Sequence, residues 1–216
     1  MSKICFVCPD LNTPAGGIKQ IFRQVHALNA HGKEAYIVHG DKNFNITWFE
    51  HQTPTLYDPQ LKALKPQQKG LKNKIKKQLG KFEKSGKRAH QKLVLEKDDV
   101  VVLPEFYGSR LDNLYPKVRT VIYNQNCYYT FRGYGLPRKG KSSNSIYTQD
   151  RLEAVIVASE DAVNYMTPII GDKPIYRVFY GMDHRVFSYQ AEKQKKIAFM
   201  PRKLNIDAVQ VLNILH

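Results

Sequence analysis

The sequence predicts an α/β chain built on a doubly wound, mostly parallel sheet, and three observations carry that expectation. Short apolar runs rich in β-branched residues recur at 3–8, 34–39, 98–105, 118–126, 152–159 and 174–180. Runs without polar alternation suit strands buried on both faces, the habit of parallel sheets. Between the first two runs lies a stretch of helical periodicity, so strand, helix and strand alternate. Two of the later runs end in polar clusters, the place where open parallel sheets bind ligands.

In chain order, Ile4 and Phe6 belong to the first strand. Pro14-Ala-Gly-Gly-Ile18 forms the following loop, and Ile18, Ile21, Phe22, Val25 and Leu28 then recur at helical spacing, with Lys19, Gln20, Arg23 and Gln24 on the other side. Gly32 stops the helix. The paired glycines Gly16 and Gly17 let backbone approach a ligand closely, and the free N–H groups of the helix start suit an anion such as a diphosphate. A tight turn without ligand is the alternative, and neither G-x-G-x-x-G nor a P-loop ending in Gly-Lys-Ser/Thr occurs.

The strand at 98–105 delivers Glu105 to its carboxyl end, where topology turns it toward a cleft; a surface carboxylate is the alternative. The strand at 118–126 ends in Asn124, Gln125 and Asn126, followed by Tyr128 and further aromatics. Amides and tyrosines suit sugar hydroxyls, since they donate and accept hydrogen bonds and offer flat apolar faces; packing beneath a loop is the competing reading. Residues 133–145, rich in Gly, Lys and Ser, read as a loop. A short helix at 160–166 with Ser159 as N-cap follows the strand at 152–159.

Composition sets outer limits. With 216 residues and 42% hydrophobic content, one sizeable core is expected, plus a small remainder. No apolar run approaches the roughly 20 residues that span a bilayer, and no secretion signal is visible, so the expectation is a cytoplasmic protein. Three cysteines, an odd and sparse count, point to a reducing compartment. Cys5 and Cys8 are three apart on a strand and face opposite sides, which marks them as core residues rather than a metal or redox pair. Cys127 reads as a packed thiol.

The net charge of +15 is concentrated. Residues 69–92 hold ten basic side chains against the single acid Glu83, which is nine of that excess. Leu71, Ile75, Leu79 and Phe82 form a helical stripe within it. One reading is a helix lying on an anionic membrane surface, with Ile75, Leu79 and Phe82 dipping in and Lys72 and Lys76 meeting headgroups, which places the protein peripherally at the inner membrane face. The other is a solvated basic helix. Nucleic acid is not expected as a partner, because the run lacks a recognised motif or interleaved aromatics.

These motifs in this order, Gly16-Gly17 before the first helix, Val-Ala-Ser159 before a later one, the turn Tyr180-Gly-Met-Asp-His-Arg-Val-Phe187, and Lys196-Ile-Ala-Phe-Met-Pro-Arg-Lys203, resemble glycosyltransferases of the GT-B fold, family 4 type. The resemblance implies a Rossmann-like N-terminal domain over 1–187, a linker at 188–195, and at 196–216 the start of a nucleotide-sugar domain that the sequence leaves incomplete. Tyr180 stands where the family usually has Asn, and Asn124-Gln-Asn126 stands where a His is common.

The resemblance further implies transfer of a sugar from a nucleotide-sugar donor to a hydroxyl acceptor, saccharide or lipid-linked, in polysaccharide or glycolipid synthesis, with no metal or other cofactor. Gly16, Gly17, Arg202 and Lys203 are then the candidates for the donor diphosphate, and Glu105, Asn124, Gln125, Asn126 and Tyr128 for the acceptor. No catalytic base is assigned. A non-catalytic acceptor-binding or membrane-binding half or remnant is the alternative reading, a basic nucleic-acid-binding protein ranks last, and the enzyme class stays open.

Overall fold

A computed structural model describes residues 2–64, 89–136, 145–196 and 205–215. Two compact units divide the chain, Met1–Phe179 and Tyr180–His216, so the turn that ends at Phe187 groups with the second.

The first unit is built on one parallel sheet of eight strands. They are β1 (Ile4–Val7), β2 (Ala35–His39), β3 (Thr55–Tyr57), β4 (Gln91–Lys92), β5 (Val100–Pro104), β6 (Arg119–Asn124), β7 (Leu152–Val157) and β8 (Ile175–Arg177). Their order across the sheet is β4-β3-β2-β1-β5-β6-β7-β8, with every neighbouring pair parallel. The chain moves outward in one direction from β1 through β2 to β4 and in the other from β5 to β8. The switch therefore falls between β1 and β5, whose Ile4 and Val100 are in register. This is the Rossmann-like α/β arrangement expected from the sequence.

Both faces of the sheet are covered. Helix α1 (Gly16–Ala30) buries Ile18, Ile21, Phe22 and Val25 against Phe6, Cys8, Ile37, Val102 and Tyr123. Burial of each such side chain contributes about 1.5–3 kcal/mol, which fixes α1 on this face. On the opposite face α2 (Glu160–Ile170) packs Ala162, Met166 and Ile170 with Cys5, Val7, Val101, Leu103 and Ile122. Cys5 and Cys8 thus enter different cores, as their spacing requires. Burial pushes the Cys5 thiol up to about 12, in keeping with an inert packing residue.

Local chemistry sets the helix ends. The α1 helix closes at Gly32, whose φ of +73° favours glycine. Asn29 ties this end to the next strand through paired 2.9 Å bonds, its amide donating to the carbonyl of Ala35 and its carbonyl accepting from the Ala35 N–H. At α2 the Ser159 hydroxyl accepts from the Ala162 N–H at 3.1 Å, and Glu160 and Asp161 occupy the first turn. The helix runs on to Ile170, past the 166 suggested by the sequence, because Val163, Met166 and Ile170 continue its apolar face.

The outer strands β3 and β4 are additions that the sequence pattern does not announce. Gln91 and Lys92, which close the basic stretch at 69–92, pair with Leu56 and Tyr57 as an exposed edge strand. That end of the stretch is therefore not helix. Lys72, Ile75, Lys76, Leu79 and Phe82 lie outside the described residues. Among the described residues no helix is long and apolar enough to cross a membrane.

In the second unit Asp183 anchors a turn, its carbonyl accepting from the N–H groups of Val186 and Phe187 at 3.0 and 2.8 Å. Helix α3 (Asn205–Leu215) follows, with Ile206, Val209, Leu212, Ile214 and Leu215 exposed. Arg202 and Lys203 lie outside the described residues.

Candidate functional site

The carboxyl ends of β1, β5 and β6 flank the switch point and are where a ligand crevice forms in such a sheet. Each strand delivers a different chemistry there.

After β1 the chain loops to Gly16, the first residue of α1. The N-cap is Ala15, which offers no side-chain acceptor, and no acid stands in the first turn. The first N–H groups of the helix are left without a side-chain cap, with the positive end of the helix dipole behind them. Gly16 has open space where a Cβ would sit, whereas a Cβ on Gly17 would meet Gln125 Oε1 at 3.2 Å.

Gln125 comes from the end of β6, and its Nε2 donates to the Gly17 carbonyl at 3.2 Å. The glycine turn and the amide cluster, 108 residues apart in sequence, are therefore parts of one site. Asn126 caps the 3-10 turn Cys127–Tyr129, its Oδ1 accepting from the Tyr128 N–H at 3.2 Å. The cap holds Tyr128 outward, 72% exposed, with its hydroxyl 3.4 Å from Asp161 Oδ2 at the start of α2.

Two of the predicted acceptor residues are placed differently from the expectation. Asn124 is fully buried, and its Nδ2 donates to Thr130 Oγ1 at 2.9 Å and contacts Met166 Sδ at 3.4 Å, so it braces the loop after β6 from below. Glu105 is only 3% exposed, because a 3-10 turn (Glu105–Leu111) begins at that residue and turns its side chain inward. Its carboxylate accepts from the backbone N–H groups of Gln125, Asn126 and Glu105 itself, yet burial outweighs these bonds and pushes its pKa up to about 7. One oxygen, Oε2, is buried without a partner. Glu105 thus supports Gln125 and Asn126 from beneath rather than lining the cleft.

The same turn contains Gly108, with φ +55°. A Cβ there would lie 1.8 Å from the Arg132 carbonyl oxygen, and the neighbouring Ser109 N–H donates to that oxygen at 3.0 Å. Only glycine lets the β5 and β6 loops close together in this way.

A carboxyl–imidazole contact that the sequence does not reveal lies in the loop after β1 and at the end of β2. His39 Nδ1 is 3.3 Å from Asp10 Oδ1, with side chains 2% and 3% exposed. Asp10 Oδ1 also accepts from the Gly40 N–H at 2.9 Å, and His39 Nδ1 is 3.1 Å from the Cys8 carbonyl. Both residues sit at strand carboxyl ends, the positional rule that selects Glu105.

Cys127 is buried, with its thiol 3.7 Å from Asp161 Oδ2; burial and that carboxylate push its pKa up, opposite to what a nucleophile needs. Among the described residues no group of three or more His, Cys, Asp or Glu side chains is placed to hold a metal ion. The chain matches no protein-family model, no curated protein and no solved structure. What the arrangement can do chemically is bind. The helix start suits an anion, and Gln125, Asn126 and Tyr128 suit neutral hydroxyl groups.

Proposed function

We propose that the unit Met1–Phe179 is the acceptor-side domain of a transferase that moves a sugar from a nucleotide-sugar donor to a hydroxyl acceptor, saccharide or lipid-linked. The observation that carries this reading is the Gln125 to Gly17 contact, which joins an uncapped helix start to a wall of amide and phenol groups at the sheet switch point. Anion and hydroxyl recognition side by side are what a nucleotide sugar and its acceptor demand. The order of sequence motifs supports the same reading.

In this account the protein's contribution to transfer is stabilisation of the departing diphosphate by the N–H groups of the α1 start. The sequence resemblance assigns Arg202 and Lys203 to a donor diphosphate as well. Anchoring through residues 69–92 to anionic lipid would bring a lipid-linked acceptor to the cleft. Incubation with radiolabelled UDP-glucose, UDP-N-acetylglucosamine or GDP-mannose and a panel of saccharide and lipid acceptors tests the reading. Label appearing in an acceptor, and lost in Gln125→Ala, is expected.

A second reading is favoured by one observation. With Glu105 and Asn124 turned inward, neither side chain is placed on the cleft wall of Gln125, Asn126 and Tyr128 to move a proton of a bound hydroxyl. Saccharide binding with no label transferred would identify the domain as a non-catalytic acceptor module. Neither binding nor transfer would refute both readings.

A further inference from the structure

A cavity of about 300 Å³ lies between α1 and the chain segment that precedes β3. None of the strand-end residues described above lines it. Its volume is at the small end of ligand pockets, enough for a molecule of one or two rings.

Three rings form its apolar wall. Phe22 meets Phe49 edge-on with centroids 5.2 Å apart and meets His51 at 4.6 Å, while Phe49 and His51 are 5.6 Å apart. Phe22 is 3% exposed and anchored in the core below, so this wall is rigid. The cationic side comes from α1, where positions 19, 22, 23 and 26 share one helix face. Lys19 Nζ stands 5.9 Å from the Phe49 ring centre, and Arg23 and His26 follow along the rim.

Both Lys19 and Arg23 are exposed, and among the described residues neither forms a salt bridge. Glu50 is the one carboxylate in the lining, so two permanent cations face one anion. His51 Nδ1 is buried and has no hydrogen-bond partner. Burial, with the neighbouring His39 and His90, lowers the pKa of His51 and so disfavours a further positive charge in the lining.

We propose that this pocket binds an aromatic carboxylate, its flat ring system against Phe22, Phe49 and His51 and its carboxylate between Lys19 and Arg23. Aromatic rings favour a flat partner stacked or set edge-on, and a guanidinium matches a carboxylate by shape. A cationic ligand would meet two like charges, and a neutral apolar one would leave Lys19 and Arg23 without a counter-charge.

Trp48 is the sole tryptophan of the chain, and its ring centre lies 4.5 Å from that of Phe49. Its fluorescence reports on the pocket directly. Titration of the full chain with 1-naphthoate is expected to change that emission saturably, with one site per chain by equilibrium dialysis. Replacing both cations, Lys19→Gln with Arg23→Gln, is expected to weaken binding at least tenfold. Both positions are exposed, and an unchanged far-ultraviolet circular dichroism spectrum confirms the fold. The neutral analogue 1-naphthol is expected to bind at least tenfold more weakly. Absence of saturable binding, retention of affinity in the double variant, or equal binding of 1-naphthol would each overturn the proposal.

Discussion

Gln125 donates its side-chain amide to the carbonyl of Gly17 at 3.2 Å, linking the end of β6 to the first turn of α1. The bond crosses the switch point of the sheet, so it fixes the width of the crevice as well as the position of the helix start. Gln125→Ala should lower stability by only about 0.5–1 kcal/mol, the usual net worth of a partly exposed hydrogen bond. Urea denaturation gives the stability. A loss well above that range would mean that Gln125 is mainly a structural brace.

The glycines of the two strand-end loops should respond oppositely to a methyl group. Gly108→Ala places a Cβ 1.8 Å from the Arg132 carbonyl at a φ of +55°, and should cost more than about 3 kcal/mol. Gly16→Ala meets nothing within 4 Å and should be neutral or stabilise by up to about 1 kcal/mol. Thermal melting of both variants makes the comparison.

Glu105 should give stability a pH dependence of defined sign. Its carboxyl is raised from 4.5 to about 7 in the folded chain, chiefly by burial. Between these values the folded state holds more protons than the unfolded state, so stability falls as pH rises. The penalty is absent below the unfolded value and complete above the folded one. Glu105→Gln removes the titration, so its stability relative to the native sequence should improve by about 3 kcal/mol between pH 4 and pH 8. Denaturant titrations across that range would show it, and a constant difference would contradict the assignment.

Tyr115 donates its hydroxyl to Asp58 Oδ2 at 2.6 Å in a buried setting, from a backbone φ of +51°. Tyr115→Phe leaves the Asp58 oxygen without this donor and should destabilise by about 1.5–3 kcal/mol, the range for a bond to a charged acceptor. Tyr115→Ala and Tyr115→Gly both lose the ring and the bond, so the difference between them reads the backbone contribution at φ +51°.

The central strands are legible in the sequence because Ile4–Val7 and Val100–Pro104 are continuous apolar runs and Leu152–Val157 is one broken only by the exposed Glu153, as burial on both faces requires. The α1 helix is legible because Ile18, Ile21, Phe22 and Val25 fall on one face. Strands β3 and β4 are not, since Thr55–Tyr57 and Gln91–Lys92 carry no apolar run and exist through pairing to a distant neighbour. At the site, position alone brings Glu105 to the end of β5. Its inward turn depends on the 3-10 turn that follows and on N–H groups from another strand end. Asn124 is hidden in the same way by Thr130 and Met166. The Asp10 and His39 pair joins the loop after β1 to the last residue of β2, a contact between single residues that no local sequence pattern marks.

The most direct test of the central claim is nitrogen-15 NMR of the labelled chain during titration with oligosaccharides and nucleotide sugars. The account expects the amide signals of Gly16, Gly17, Gln125, Asn126 and Tyr128 to shift together and saturably, with Gln125→Ala abolishing the effect. Unmoved signals at these five residues with every ligand, or shifts confined to other parts of the sheet, would contradict a binding crevice at the switch point.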